Sequence, residues 1–259
     1  MASIKGAVIL ELFNRCQQRK DWSFHNNEVK EVAKQFGFGN AFDVTKIDNS
    51  AILPNELIEA DYFITHLGKG FHQFVKGVRN GYHSFEAIPA KDEIDWNYKK
   101  SILNEFDSSE SNILSVGFNQ SIIQHFLYND IRENPNIYNA RRTKMDLAYR
   151  IGGTDIKADK LQMKIDLTLE LRGKVTVFEG KNNFPDNFAV YQLYHPFLFY
   201  VQLKERHNLP ISEISCCYLL RRKNPNGSVI RIYEYGFADT YNIASIFLQK
   251  SRQYNLKQN

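Results

Sequence analysis

The sequence predicts an α/β protein: a small helical module ending in a hairpin, followed by a mixed sheet flanked by helices. Three observations carry this expectation. Apolar residues recur at helical spacing near the start, first Val8, Ile9, Leu12, Phe13 and Cys16, then Val29, Val32, Ala33 and Phe36. Two apolar-rich stretches fold back on glycine turns, at Gly68-Lys69-Gly70 and at Arg172-Gly173-Lys174, which is the pattern of a β-hairpin. The apolar run at 211–220 suits a central strand buried on both faces.

The elements follow in order. Residues 4–18 and 28–36 read as helices, the second ended by Gly37. Residues 39–46 are open between a third helix and an irregular segment, and 55–60 add a further helical turn. Short helices followed by the hairpin at 61–76 give the order of a winged helix-turn-helix, a DNA-docking module. Which of its helices would enter the groove is open. The wing would offer Lys69, His72, Gln73 and Lys76 to phosphates. Residues 77–100 read as the connection between domains, which sets the expected division at 1–84 and 85–259. A helix or broken helix is expected from about residue 110 to 130, and a loose strand at 145–151 ended by Gly152-Gly153. Residues 189–203 read as the main helix behind the sheet, kinked or split by Pro196. Residues 229–235 pair with the central strand, 241–249 read as helical, and the tail from 250 reads as polar and frayed.

Bulk properties narrow the class. The chain has 259 residues, is 43% hydrophobic and carries a formal net charge of +4, enough apolar material for a sizeable core and a mildly basic balance compatible with nucleic acid. Its three cysteines form no CxxC pair, so a disulfide framework or zinc site is not expected and a reducing cytoplasm fits. No stretch approaches the length of a membrane span, and no membrane partner is expected.

The chemistry concentrates at 163–200. Asp166 lies on the first strand of the second hairpin, and Glu179 and Lys181 close the second strand. Residues two apart on an extended chain leave the same face, so Glu179 and Lys181 point together and the hairpin folds Asp166 towards them. Paired carboxylates suit Mg²⁺, a hard cation that takes oxygen ligands and keeps several waters. A neighbouring lysine can hold an attacking water or the developing negative charge. Asp146 is a competing ligand, set aside because it lies outside the hairpin that ends in Glu179.

Asp166 followed by Glu179-Gly180-Lys181 resembles the PD-(D/E)XK nuclease motif, with Ile165 where proline usually precedes the aspartate. The segment 186–196 is similar to the helix that follows this motif in a group of type II restriction endonucleases, and 1–84 resembles amino-terminal domains attached to some of them. The resemblance implies a catalytic set of Asp166, Glu179, Lys181 and Gln192, the last aimed at the water or the scissile phosphate. It also implies an acidic contribution to the metal site from an early helix, for which Glu110 is the candidate and Glu105 the reserve. The implied reaction is Mg²⁺-dependent, sequence-specific cleavage of double-stranded DNA leaving 5′-phosphates, with a DNA methyltransferase protecting the host. A symmetric duplex target favours a homodimer. The basic cluster Arg141, Arg142 and Lys144 reads as a guanine or phosphate clamp, or as a solvated loop. A repair or junction-resolving nuclease on the same core and a non-catalytic winged-helix regulator are the alternatives.

Overall fold

The computed structural model describes residues 3–99, 101–103, 110–224 and 227–257. It is a mixed α/β fold whose large mixed sheet is flanked by helices. The chain opens with α1 (Ile4–Arg19), β1 (Ser23–His25), α2 (Asn26–Gln35), α3 (Ala41–Val44) and α4 (Asn55–Glu59), then the hairpin β2 (Tyr62–Gly68) and β3 (Phe71–Lys76). Ser3 caps α1 by accepting from the Gly6 amide, and the apolar stripe Val8, Ile9, Leu12, Phe13 and Cys16 is buried. The small sheet has the order β1-β3-β2.

The stretch expected to be a connection is instead structured. It forms α5 (Val78–Gly81), β4 (Tyr82–Ser84) and β5 (Glu93–Asn97), and β5 pairs in parallel with the last strand. Its Pro and Gly residues mark turns between short elements, while Tyr82 and Tyr98 are buried. Next come α6 (Glu110–Asn119), α7 (Ile122–Tyr128), the long strands β6 (Asn136–Ile151) and β7 (Thr154–Leu171), then β8 (Lys174–Lys181) and β9 (Asn187–Ala189). Helix α8 (Tyr191–His207) precedes β10 (Glu213–Asn224), β11 (Gly227–Phe237) and β12 (Ile246–Lys257).

The seven-stranded sheet runs β5-β12-β11-β10-β8-β7-β6. Central β10 pairs in parallel with β8, and α8 makes the crossover that such a pair requires. Alternate residues of β10 serve opposite faces. Cys216, Tyr218 and Leu220 join a core containing α8 and the amino-terminal helices, whereas Cys217 and Leu219 join a second core under α6 and α7. All three cysteines are free and buried.

Two expectations about the last third are corrected. Pro196 does not split the helix: it lies inside a continuous α8. Burial runs without a gap from Leu193 to Phe199, so packing on every side holds the helix through the hydrogen bond that proline lacks. The segment expected to be a helix and a frayed tail is a short turn at Ile243–Ser245 followed by β12, with Tyr254 and Leu256 buried. The spacing of Ile243, Ile246 and Phe247 mimicked a helix, but β11 has a free edge that this segment covers along its whole length.

The amino-terminal module is fixed to the sheet rather than tethered to it. Asn187 accepts from the Ser50 amide at 2.8 Å and donates to Ser50 Oγ at 2.9 Å, while the Ala189 amide donates to the Asp48 carbonyl at 2.8 Å. The tip of the β2–β3 hairpin abuts β7: Lys69 pairs with Asp159 at 2.5 Å, and a Cβ on Gly68 would collide with the Asp159 carbonyl. Gly68 also has φ +81°, a conformation that other residues adopt at a cost. Gly68→Ala should therefore lower unfolding free energy by about 1–3 kcal/mol in urea titration. Gly153→Ala, where an added Cβ meets nothing within 4 Å, should leave it unchanged.

Candidate active site at the fork of the sheet

The turn between β7 and β8 has positive φ at both Arg172 and Gly173, as a two-residue hairpin with native twist requires. Pairing then runs from Leu171↔Lys174 to Leu167↔Phe178 and stops. Beyond that point β7 continues beside β6, while β8 continues beside β10 as far as Leu220↔Lys181. The sheet therefore forks, and the next residues on the two strands are Asp166 and Glu179. A cleft of about 990 Å³ opens there, lined by Asp166, Glu179, Lys181 and Gln192.

The geometry within the fork is tight. Lys181 Nζ lies 3.3 Å from Glu179 Oε1, and Lys164 Nζ lies 2.7 Å from Asp166 Oδ1. The first turn of α8 projects Gln192 onto the same carboxylate: its Nε2 donates to Glu179 Oε1 at 3.3 Å, and its Oε1 accepts from Tyr218 OH at 3.1 Å. Tyr218 is the β10 residue in register with Glu179. Burial pushes the Glu179 carboxyl up to about 8, reinforced by the charge of Asp166 and a hydrogen bond with it, against the opposing pull of Lys181.

Asp48 is a site residue that the sequence reading missed. It lies in the irregular segment between α3 and α4, yet its Oδ2 is 3.8 Å from the same Lys181 Nζ that reaches Glu179. After burial itself, the Asp48 charge is the largest influence holding the neighbouring Tyr191 phenol well up. No motif or spacing marks Asp48. The clamp between Ser50 and Asn187 and the bond from the Ala189 amide to its carbonyl bring it to the fork.

The expected DNA contacts divide. Arg142 and Lys144 lie opposite Lys164 and Gln162 across the β6–β7 pair, and all four line the cleft, as do Lys46, Lys69 and Lys160. Arg141, one residue away on the strand, instead stacks on the Phe199 ring at 5.1 Å and does not line the cleft. His72 lines the cleft, but its nitrogens are engaged by His66 and Asn26, each at 2.9 Å. Burial, followed by the charges of His66 and His25, pushes it down to about 3, so it brings no positive charge to a phosphate. Gln73 sits half-buried on the middle strand of the small sheet, and Lys76 is exposed, both outside the cleft lining. Asp146 accepts from the Lys160 amide at 2.8 Å and is likewise outside the lining. Glu105 and the side chain of Glu110 lie outside the described residues.

Because the folded value of Glu179 exceeds its ordinary 4.5, the native state binds more protons than the unfolded chain between 4.5 and about 8. The carboxyl's contribution to stability is therefore full at low pH and lost as pH rises through that window. In metal-free protein, Glu179→Gln should gain in melting temperature over wild type as pH is raised from 5 to about 8. A difference that does not widen across that range would contradict the buried-carboxyl assignment.

Among the described residues no helix is long and apolar enough to cross a membrane. No curated protein and no solved structure matches the chain. A model described as a domain of unknown function (DUF6996) matches residues 7–74. A second model, also described as a domain of unknown function (DUF6997), matches residues 77–255, most of the sequence, and the chain belongs to that family.

Proposed function

We propose that this chain is a metal-dependent deoxyribonuclease of the PD-(D/E)XK kind, carrying an amino-terminal winged helix and acting on duplex DNA as a type II restriction endonuclease. The observation that carries the reading is the fork, where Asp166, Glu179 and Lys181 gather at the wall of a cation-lined cleft. The order α1, β1, α2, α3, α4, β2, β3 with the sheet order β1-β3-β2 supports the winged-helix part. The homodimer and the paired methyltransferase rest on the resemblance of the motif region alone.

The residues fit Mg²⁺. That ion ordinarily takes one or two carboxylates and completes its shell with waters and phosphate oxygens. Asp166 and Glu179 supply hard oxygen donors, and burial, followed by the charge of Asp166, raises the cost of an ionised Glu179 that a divalent ion would offset. Among the described residues no group of three or more His, Cys, Asp or Glu offers a fuller ligand set. When bound, the ion supplies a Lewis acid for a phosphoryl oxygen and an acidified water.

The chain's own groups do the rest. Arg142, Lys144 and Lys164 hold backbone phosphates along the cleft. Lys181, steadied between Glu179 and Asp48, orients the attacking water and offsets charge on the phosphorane-like transition state. Gln192, bonded to Glu179 and Tyr218, fixes the carboxylate's orientation. Hydrolysis breaks the bond between phosphorus and the 3′ oxygen, and the phosphate stays on the 5′ end.

Incubation of the protein with unmodified plasmid and Mg²⁺ should give discrete fragments, and sequencing of their ends should show 5′-phosphates. Asp166→Ala and Lys181→Ala should each slow cutting by about 10³-fold or more while DNA binding persists. Absence of cutting by wild type on any DNA would sink the reading. The double change Arg142→Ala, Lys144→Ala should weaken DNA binding and flatten its salt dependence by nearly two phosphate contacts, as read from log Kd against log salt.

A further inference from the structure

The cleft holds two features that phosphate binding leaves unused. Phe42 is 66% exposed and Phe71 is 49% exposed, although both are large apolar side chains. Both line the same cleft as Asp166, Glu179 and Lys181. They come from separate elements, α3 and the start of β3, so one local packing accident does not account for both. Lys46, Lys69, Arg142 and Lys144 share the lining with them. Lys30 lies over the Phe42 ring at 5.3 Å, and His25 packs at a tilt against Phe71 at 4.7 Å.

Cations and exposed aromatic rings lining one cleft suit a surface that holds a phosphate backbone and offers ring planes to bases. The charge of the surrounding side chains selects an anionic strand as the occupant over an apolar peptide or lipid tail. In an intact duplex the base faces are covered by their neighbours, and only ring edges reach the grooves. A phenylalanine plane has something to stack on only where bases are unpaired, at a flap, a junction, a frayed end or a base rotated out of the helix. Resting on the nuclease reading above, we propose that Phe42 and Phe71 are stacking platforms for unpaired bases. On the duplex substrate of that reading, the bases they hold are ones rotated out of the helix next to the scissile phosphate.

Binding measured by fluorescence anisotropy in EDTA tests this without cutting, on the full chain. The probes are a single-stranded oligonucleotide, a flapped duplex, a blunt duplex and a single strand with abasic sites. Wild type should bind the single strand and the flap more tightly than the blunt duplex. Phe42→Ala and Phe71→Ala should each weaken the first two by roughly 10-fold and leave the blunt duplex and the abasic strand unaffected. Phe42→Trp should restore tight binding, and unchanged melting curves should show that the variants fold. Equal losses on abasic and normal strands, no loss at all, or a change in sedimentation showing that the rings hold two copies of the chain together would overturn the proposal. Tight blunt-duplex binding and cutting that ignore both rings would overturn it while leaving the nuclease reading intact. Failure to bind any of the four would remove both.

Discussion

Everything at the site follows from one interruption in backbone pairing. Strands β7 and β8 stay hydrogen-bonded only as far as Leu167↔Phe178, then follow different partners. The divergence opens a cleft at the first residues past the last pair, and those residues are both acidic. Two carboxylates meet at the mouth of the sheet, each with a lysine beside it, Lys164 on Asp166 and Lys181 on Glu179, and burial still makes the charge on Glu179 costly. The displaced Glu179 proton affinity is the physical trace of that cost.

The amino-terminal module acts on the site through rigid contacts. Its hairpin tip rests on β7, its irregular segment is bonded to the strand before α8, and its apolar residues share a core with the large sheet. One result is that Asp48 reaches Lys181. Another is that Lys69 is committed to Asp159 and His72 to His66 and Asn26, so the face expected to meet DNA freely is partly turned inward. The cleft is built from both regions, its cations coming from Lys46 and Lys69 on one side and Arg142, Lys144, Lys160 and Lys164 on the other.

Local features were legible in the sequence and long-range ones were not. The hairpin at Arg172-Gly173 could be read because glycine marks a turn that needs positive φ, and with it came the meeting of Asp166, Glu179 and Lys181. The buried central strand could be read from its unbroken apolar run. Asp48 could not, since its place depends on the Ser50–Asn187 clamp, 137 residues apart in sequence. Strand β12 is not legible because its partner β11 decides its conformation: the spacing of Ile243, Ile246 and Phe247 mimics a helix, and the polar residues from 250 read as a frayed tail until pairing buries Tyr254 and Leu256. Arg141 and Arg142 look equivalent in a basic run. Only the strand's alternation sends one to Phe199 and the other to the cleft.

The central claim is that the carboxylates at the fork form a divalent-cation site. Calorimetric titration of Mg²⁺ or Mn²⁺ into the DNA-free protein tests it most directly. The account expects saturable binding with release of a proton below about pH 8, reduced at least 10-fold in Asp166→Asn and Glu179→Gln. Wild-type protein that takes up no divalent ion, or that binds it equally well after both substitutions, would contradict it.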